Sequence, residues 1–251
     1  MSRTGRVRAE ATAAARSFLR RRTAVFFTFF FPVLLVLIFG VIVRSQGADG
    51  GLFALPPAYY VPGYLAVVVL FTPLSRVGSE VARHREGARF EKLATTPLSR
   101  AEWLLAQTLV NAGVIGLAAL LIFALVIVAT GANVGLGPAT LLVVPYVFLG
   151  VVLFCGLGAV LGRIADSQDG VIAASNGVAL PLLFLSETFV QPDLLPGWLP
   201  VWASPLTYFA RGVRAVTYEP AGGSVASNLI VLAALAVVLF VAGAVAIPRT
   251  D

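Results

Sequence analysis

The stretch "AVFFTFFFPVLLVLIFGVIV", Ala24 to Val43, carries no charged residue. At 1.5 Å rise per residue, about 20 residues of helix cross the roughly 30 Å hydrocarbon layer of a bilayer. Lipid offers the backbone no hydrogen-bond partner, so an apolar run of this length spans as a helix. The run is continuous and does not alternate, which argues against a strand of a membrane barrel.

Five further runs read the same way: Tyr59–Ser75, Leu104–Thr130, Leu141–Leu161, Val171–Leu185 and Leu229–Ile247. Tyr59–Ser75 is short and follows "LPP". Leu104–Thr130 is long enough to tilt or to extend beyond the bilayer. Val171–Leu185 is the shortest, and its ends are the least sharply marked. Composition agrees: of 251 residues, 59% are hydrophobic and 12% charged, against about 25% charged in a soluble domain. The reading is an all-α polytopic membrane protein with six transmembrane helices, forming one domain over residues 1–251.

Arginine and lysine orient the spans. Seven arginines precede the first span, and Arg76, Arg83, Arg85, Arg89, Lys92 and Arg100 lie between the second and third. Arg163 and Arg249 join that side, while Arg44, Arg211 and Arg214 fall on the other. The positive-inside rule puts both termini and the 76–103 loop in the cytoplasm. The net charge of +6 is mostly arginine beside spans, where lipid and topology account for it. No nucleic-acid partner is expected. The single cysteine, Cys155, lies inside an apolar run and reads as small core packing.

The leader, residues 1–23, runs into the first span through "RRRTAVFF", faintly like a twin-arginine export motif. Leader and apolar run are both long for a signal peptide, so an uncleaved anchor is expected. Val7, Ala11, Ala14, Ala15 and Phe18 recur at helical spacing, with Arg8, Glu10, Thr12 and Arg16 off that stripe. This predicts an interfacial helix along the cytoplasmic surface. A disordered basic tail is the alternative.

The cytoplasmic loop, 76–103, contains "EKLATTPLSRAEW" from Glu91 to Trp103, with the only lysine in the chain. Helix continues from the second span through "RVGSEVARHRE". Gly87 permits a turn. "ARFEKLATT" forms a short helix with Phe90, Leu93 and Ala94 on one face, and Pro97 stops it. Ser99 and Glu102 make a capping box opening the third span, and Leu98 stands in hydrophobic-staple spacing to Trp103. A solvated connector with a Glu86–Arg89 pair is the plainer alternative. It needs neither two turns nor a cap, and the short helix between turns offers a rigid knob at the membrane surface.

Absences separate function classes. No Asp, Glu, Lys, Arg or His lies within the six runs, whereas ion-driven carriers commonly place such groups there. Thr72, Asn111, Ser175 and Asn176 read as helix-to-helix hydrogen-bonding groups, and Gly158 and Gly162 as a packing pair. Lys92 follows Glu91, so there is no phosphate-binding G-K-[ST] loop. His84, the only histidine, reads as part of a polar helix face, with no metal or catalytic cluster.

The outer connection, 186–228, is broken by Pro192, Pro196, Pro200 and Pro205. Ser204 and Pro205 suit N-cap and first helical position. Trp198, Trp202 and Tyr208 suit a membrane interface.

These motifs, in this order, resemble the permease subunits of ABC-type exporters of the type-2 class. The loop shows Arg85, Glu86 and Gly87, then Glu91 and Leu93, Thr96 and Pro97, and Ser99 and Glu102. The second match is "LPGWLPVWASPLTYFARGVRAV". The family usually has Asn or a similar residue where Ser204 stands. The resemblance implies that the short loop helix is a coupling helix docking on a separate ABC ATPase through Arg85, Glu86, Phe90, Glu91, Lys92, Leu93, Thr96 and Pro97. It also implies short re-entrant helices before the last span, in an exit region with Trp198, Trp202, Pro205, Tyr208, Arg211 and Arg214. Arg211 and Arg214 gate an exit or bind lipid phosphate on this reading. ATP and Mg would sit in the partner ATPase, with no cofactor on this chain. A second permease copy, in a homodimer or close heterodimer in the prokaryotic cell membrane, completes the expectation. An ATP-independent carrier or channel for a hydrophobic solute is the rival.

Overall fold

A computed structural model of the chain describes residues 2–42, 55–132, 134–135, 137–218 and 224–248. Val43, Arg44, Arg249 and positions 219–223 of the outer connection, invoked above, lie outside them. The described residues form helices and turns, with no strand. The α-helices are α1 (Arg3–Arg20), α2 (Arg22–Leu35), α3 (Val61–Glu86), α4 (Arg89–Ala94), α5 (Arg100–Thr130), α6 (Val143–Ile164), α7 (Gln168–Phe184), α8 (Pro205–Thr217) and α9 (Val225–Ala246). A π-helical stretch, Val36–Ile42, prolongs α2.

Local chemistry sets the ends. Ser2, Ser99, Ser167 and Ser224 each accept a backbone N–H at a helix N-terminus, the bond that satisfies an otherwise orphaned donor. α5 closes on Gly131, whose φ of 62° is left-handed and suited to glycine.

Among the described residues, five helices are long and apolar enough to cross a membrane: Arg22–Val41, Pro57–Glu86, Arg100–Thr130, Pro138–Ile164 and Val225–Ala246. The sixth expected span, Val171–Leu185, falls on α7, which has 17 residues. The count that length and composition support among the described residues is therefore five.

α3 is the central helix. Its most apolar window is 67% buried, against 17% for α2 and α9. It packs on α6, α7, α5 and α8, and α6 packs in turn on α9. Glycine allows the closest crossings. A Cβ on Gly158 would lie 2.5 Å from the Leu74 carbonyl oxygen, and one on Gly162 would collide with that of Gly78. On its other face, α6 meets α9 at Gly156 and Gly243, where a Cβ on Gly243 would lie 2.5 Å from the Gly156 oxygen. Gly158 and Gly162 are thus packing residues, as expected. Cys155 is fully buried beside them.

Candidate functional site

The α3–α4–α5 connection lies at the arginine-rich end of the bundle. α3 ends at Glu86, and the chain reverses through Gly87 and Ala88. The left-handed residue is Ala88, at φ 48°, not Gly87, whose φ is −96°. α4 follows, and Thr95 and Thr96 close it by donating to the carbonyls of Lys92 (2.8 Å) and Leu93 (2.7 Å). Ser99 and Glu102 then form the complete capping box: Glu102 N–H donates to Ser99 Oγ at 3.2 Å, and Ser99 N–H to Glu102 Oε2 at 2.9 Å.

An aromatic cluster seats α4. Phe90 is 4% exposed; its ring centroid lies 5.2 Å from that of His84 and 5.6 Å from that of Trp103. Phe90 is the anchor beneath the short helix, facing the bundle and not a partner, because the His84 and Trp103 rings fill the space on its inner side. His84 belongs to this core, with Nδ1 2.7 Å from the Glu80 carbonyl oxygen, and not to a solvated polar face. Glu91, Lys92, Thr96 and Pro97 are exposed, and Leu93 is half-buried. Leu93 lines a cleft of about 300 Å³ with Phe90, Pro97, Leu98, Trp103 and Ile247, so the C-terminal end of α9 forms one wall.

Arg85 and Glu86 hold the α6–α7 connection. Arg85 Nη1 donates to the carbonyls of Gly162 (3.3 Å), Arg163 (2.9 Å) and Ala165 (3.0 Å). Glu86 accepts from Gln168 N–H and Nε2, both at 3.2 Å. The Glu86–Arg89 pair of the plainer reading is replaced by this tie.

The leader is helical from Arg3 to Arg20 and buries Ala14 and Phe18 against the bundle, packing chiefly on α5. Arg6 grips Glu102 with two donors, Nε at 3.1 Å and Nη2 at 2.5 Å. Arg76 stacks over Phe18 at 4.3 Å and donates to Asn111 at 3.3 Å. Asn111 thus bonds across two helices, as expected of it. Glu10, placed off the leader's apolar stripe, points inward and accepts from Gln107 at 3.5 Å. Burial, with Glu80 nearby as a second cause, pushes the Glu10 carboxyl above its ordinary value. Glu80, not singled out from sequence, is 8% exposed and meets Arg83, Arg21 (3.5 Å) and His84 (3.6 Å). Its spacing to Arg83 and His84, three and four residues on, was the available signal.

At the opposite end the 186–228 connection holds two single 3₁₀ turns, Pro192–Leu194 and Val201–Ala203, then the 13-residue α8. Pro205 takes the first position of α8 after Ser204, but the Ser204 hydroxyl donates to the Leu182 carbonyl (2.7 Å) and makes no cap. Trp198 and Trp202 are widely exposed, and Tyr208 Oη donates to the Trp202 carbonyl at 2.9 Å. Arg211 forks onto buried Glu187, with Nε–Oε2 at 2.7 Å. Arg214 is 6% exposed; it donates to the Glu187 carbonyl at 2.8 Å and stacks over Tyr59 at 4.1 Å. Both guanidiniums are used in tying α8 to neighbouring segments, and Arg214 is not presented to a lipid phosphate.

Among the described residues, no three His, Cys, Asp or Glu side chains converge as a metal site would require. Comparison with known proteins accords with a membrane role. The chain is 28% identical over 198 residues to the daunorubicin resistance ABC transporter permease protein DrrB1 of Streptomyces coeruleorubidus, covering 76% of this chain and 67% of that one. Residues 7–218 match the family described as ABC-2 type transporter. A match over most of the chain, on a bundle of apolar helices, makes this protein a member of the ABC-2 type transporter permease family.

Proposed function

We propose that this permease is the membrane half of an ATP-driven exporter, coupled through α4 to a separate ATPase that carries ATP and Mg. The observation that carries this reading is the seating of α4. A six-residue helix between two turns is fixed from beneath by Phe90 and from both sides by helices α3 and α5. A load applied to it is delivered to α3, the most buried of the five long apolar helices. Glu91, Lys92, Thr96 and Pro97 form its open side, with Leu93 at the lip of the cleft; Arg85 and Glu86 act behind it. Trp198, Trp202 and Tyr208, with Pro205, mark the exit side. The re-entrant part there is α8, short of a span and anchored by Arg211 and Arg214.

In this proposal α7 is the sixth span, since 17 residues reach the lower end of spanning lengths. Both termini then lie in the cytoplasm and the protein in the cell membrane, with α1 along the inner surface. Two copies, or this chain and a close relative, form the pathway. The name of the relative supports an amphipathic or hydrophobic drug-like cargo moving outward.

Leu93→Asp and Lys92→Ala test the coupling. An apolar anchor at an interface is worth about 2 kcal/mol or more, a rim charge less than about 1. Leu93→Asp is expected to release the ATPase or uncouple transport at normal membrane abundance, and Lys92→Ala to change little. A Leu93→Asp protein that keeps both its ATPase and full transport would show that α4 is not the coupling element.

A further inference from the structure

Four arginines converge where the leader meets α3. Arg16, Arg20 and Arg21 from the end of α1, and Arg83 from α3, line a cleft of about 440 Å³ with Ala13 and Ser17. The one carboxylate engaged there is Glu80, which meets Arg83 and, at 3.5 Å, Arg21. No carboxylate among the described residues pairs with Arg16 or Arg20. Four guanidiniums against one carboxylate leave an excess of three positive charges. The C-terminal dipole of α1 accounts for a cation or two near its last carbonyls. It does not account for Arg83, which reaches the cleft from another helix.

Planar guanidiniums converging from two directions fit the oxygens of a phosphate, which they can bind bidentately. The surface next to the cleft says where that phosphate comes from. One turn beyond Arg21 and Arg22, α2 turns Phe26 and Phe27 outward, 55% and 56% exposed. A cationic cleft about one helical turn along the chain from an exposed apolar helix face matches a molecule with an anionic head and a hydrocarbon tail. A soluble phosphate would use only the first of these features.

We propose that the Arg16–Arg20–Arg21–Arg83 cleft binds the phosphate of an anionic lipid headgroup. The inference rests on the chain's membrane setting and not on ATPase coupling, so either can fail without the other.

The test uses the full-length chain purified in a neutral detergent. Thermal unfolding is followed during titration with dioctanoyl phosphatidic acid, with the diacylglycerol that lacks its phosphate, and with inorganic phosphate. Phosphatidic acid is expected to raise the melting temperature saturably, and the other two are not. Arg16→Gln with Arg20→Gln should weaken the apparent affinity about tenfold or more, since each basic residue near an anionic surface contributes about 1 kcal/mol. Arg3→Gln with Arg8→Gln, on exposed leader positions outside the cleft, should leave it unchanged. Should the Arg16/Arg20 pair fail to fold, Arg20→Gln alone is read in the same titration, with a smaller loss expected. Equal weakening in both pairs would mean diffuse charge attraction and overturn the proposal. Unchanged affinity in the cleft variants would overturn it too. So would inorganic phosphate as effective as the lipid, or diacylglycerol as effective as phosphatidic acid.

Discussion

Phe90 and Glu10 are the two side chains whose direction matters most and whose sequence context said least about it. Phe90 lies on the apolar face of a six-residue helix, but spacing does not say whether such a face meets the bundle or a partner. Trp103 and His84 settle that by closing on the ring. Phe90→Ala is expected to cost about 3–5 kcal/mol of local stability. Hydrogen exchange should show α4 losing protection while the bundle keeps its own. Glu10 has a titration consequence. Its docked-state pKa lies above the ordinary value, so docked α1 binds more protons than undocked α1. Its contribution to docking is present in full below the ordinary glutamate pKa and is lost as pH rises through the raised one. Leader protection should therefore fall across that window, and Glu10→Gln should flatten the dependence and tighten docking at neutral pH. Equal pH profiles for the two proteins would refute this.

Among the elements, the apolar runs, the capped start of α5 and the short loop helix were readable because each has a local cause: length, a Ser-x-x-Glu pattern, a proline stop. The elements that were not readable depend on distant partners. The start of α8 was readable at Pro205, but not its length of 13 residues or its docking through Leu206, Phe209 and Val213 and through buried Arg214. α7 falls on the boundary of spanning length. The α3–α6 crossing was half readable: Gly158 and Gly162 announced a close approach, but nothing announced Gly78 as the other side. Gly162→Leu should therefore cost about 3 kcal/mol or more, since its Cβ meets backbone that cannot yield. Gly116→Ala on α5 has open space and should change stability by no more than about 1 kcal/mol. Melting temperatures in one detergent compare the two, and equal losses would contradict this packing.

For the whole molecule, the uneven burial of the helices is the main fact. α3 is enclosed, while α2, α5 and α9 turn rows of Phe, Leu and Val outward. Lipid covers such rows, and in the proposed assembly a second copy covers part of them. Two differently tagged copies expressed together are expected to co-purify through either tag in mild detergent; recovery of single copies only would remove the two-copy pathway. The docking of the leader also has a consequence in time. Arg6 and Glu102 are separated by 96 positions. At roughly 5–20 residues added per second, α1 leaves the ribosome roughly 5–20 s before its partner carboxylate has been made. For most of that wait Phe18 has neither α5 nor Arg76 to cover it. A leader rich in arginine and alanine, with Phe18 as its single aromatic, is one that the cell can leave waiting without inviting aggregation.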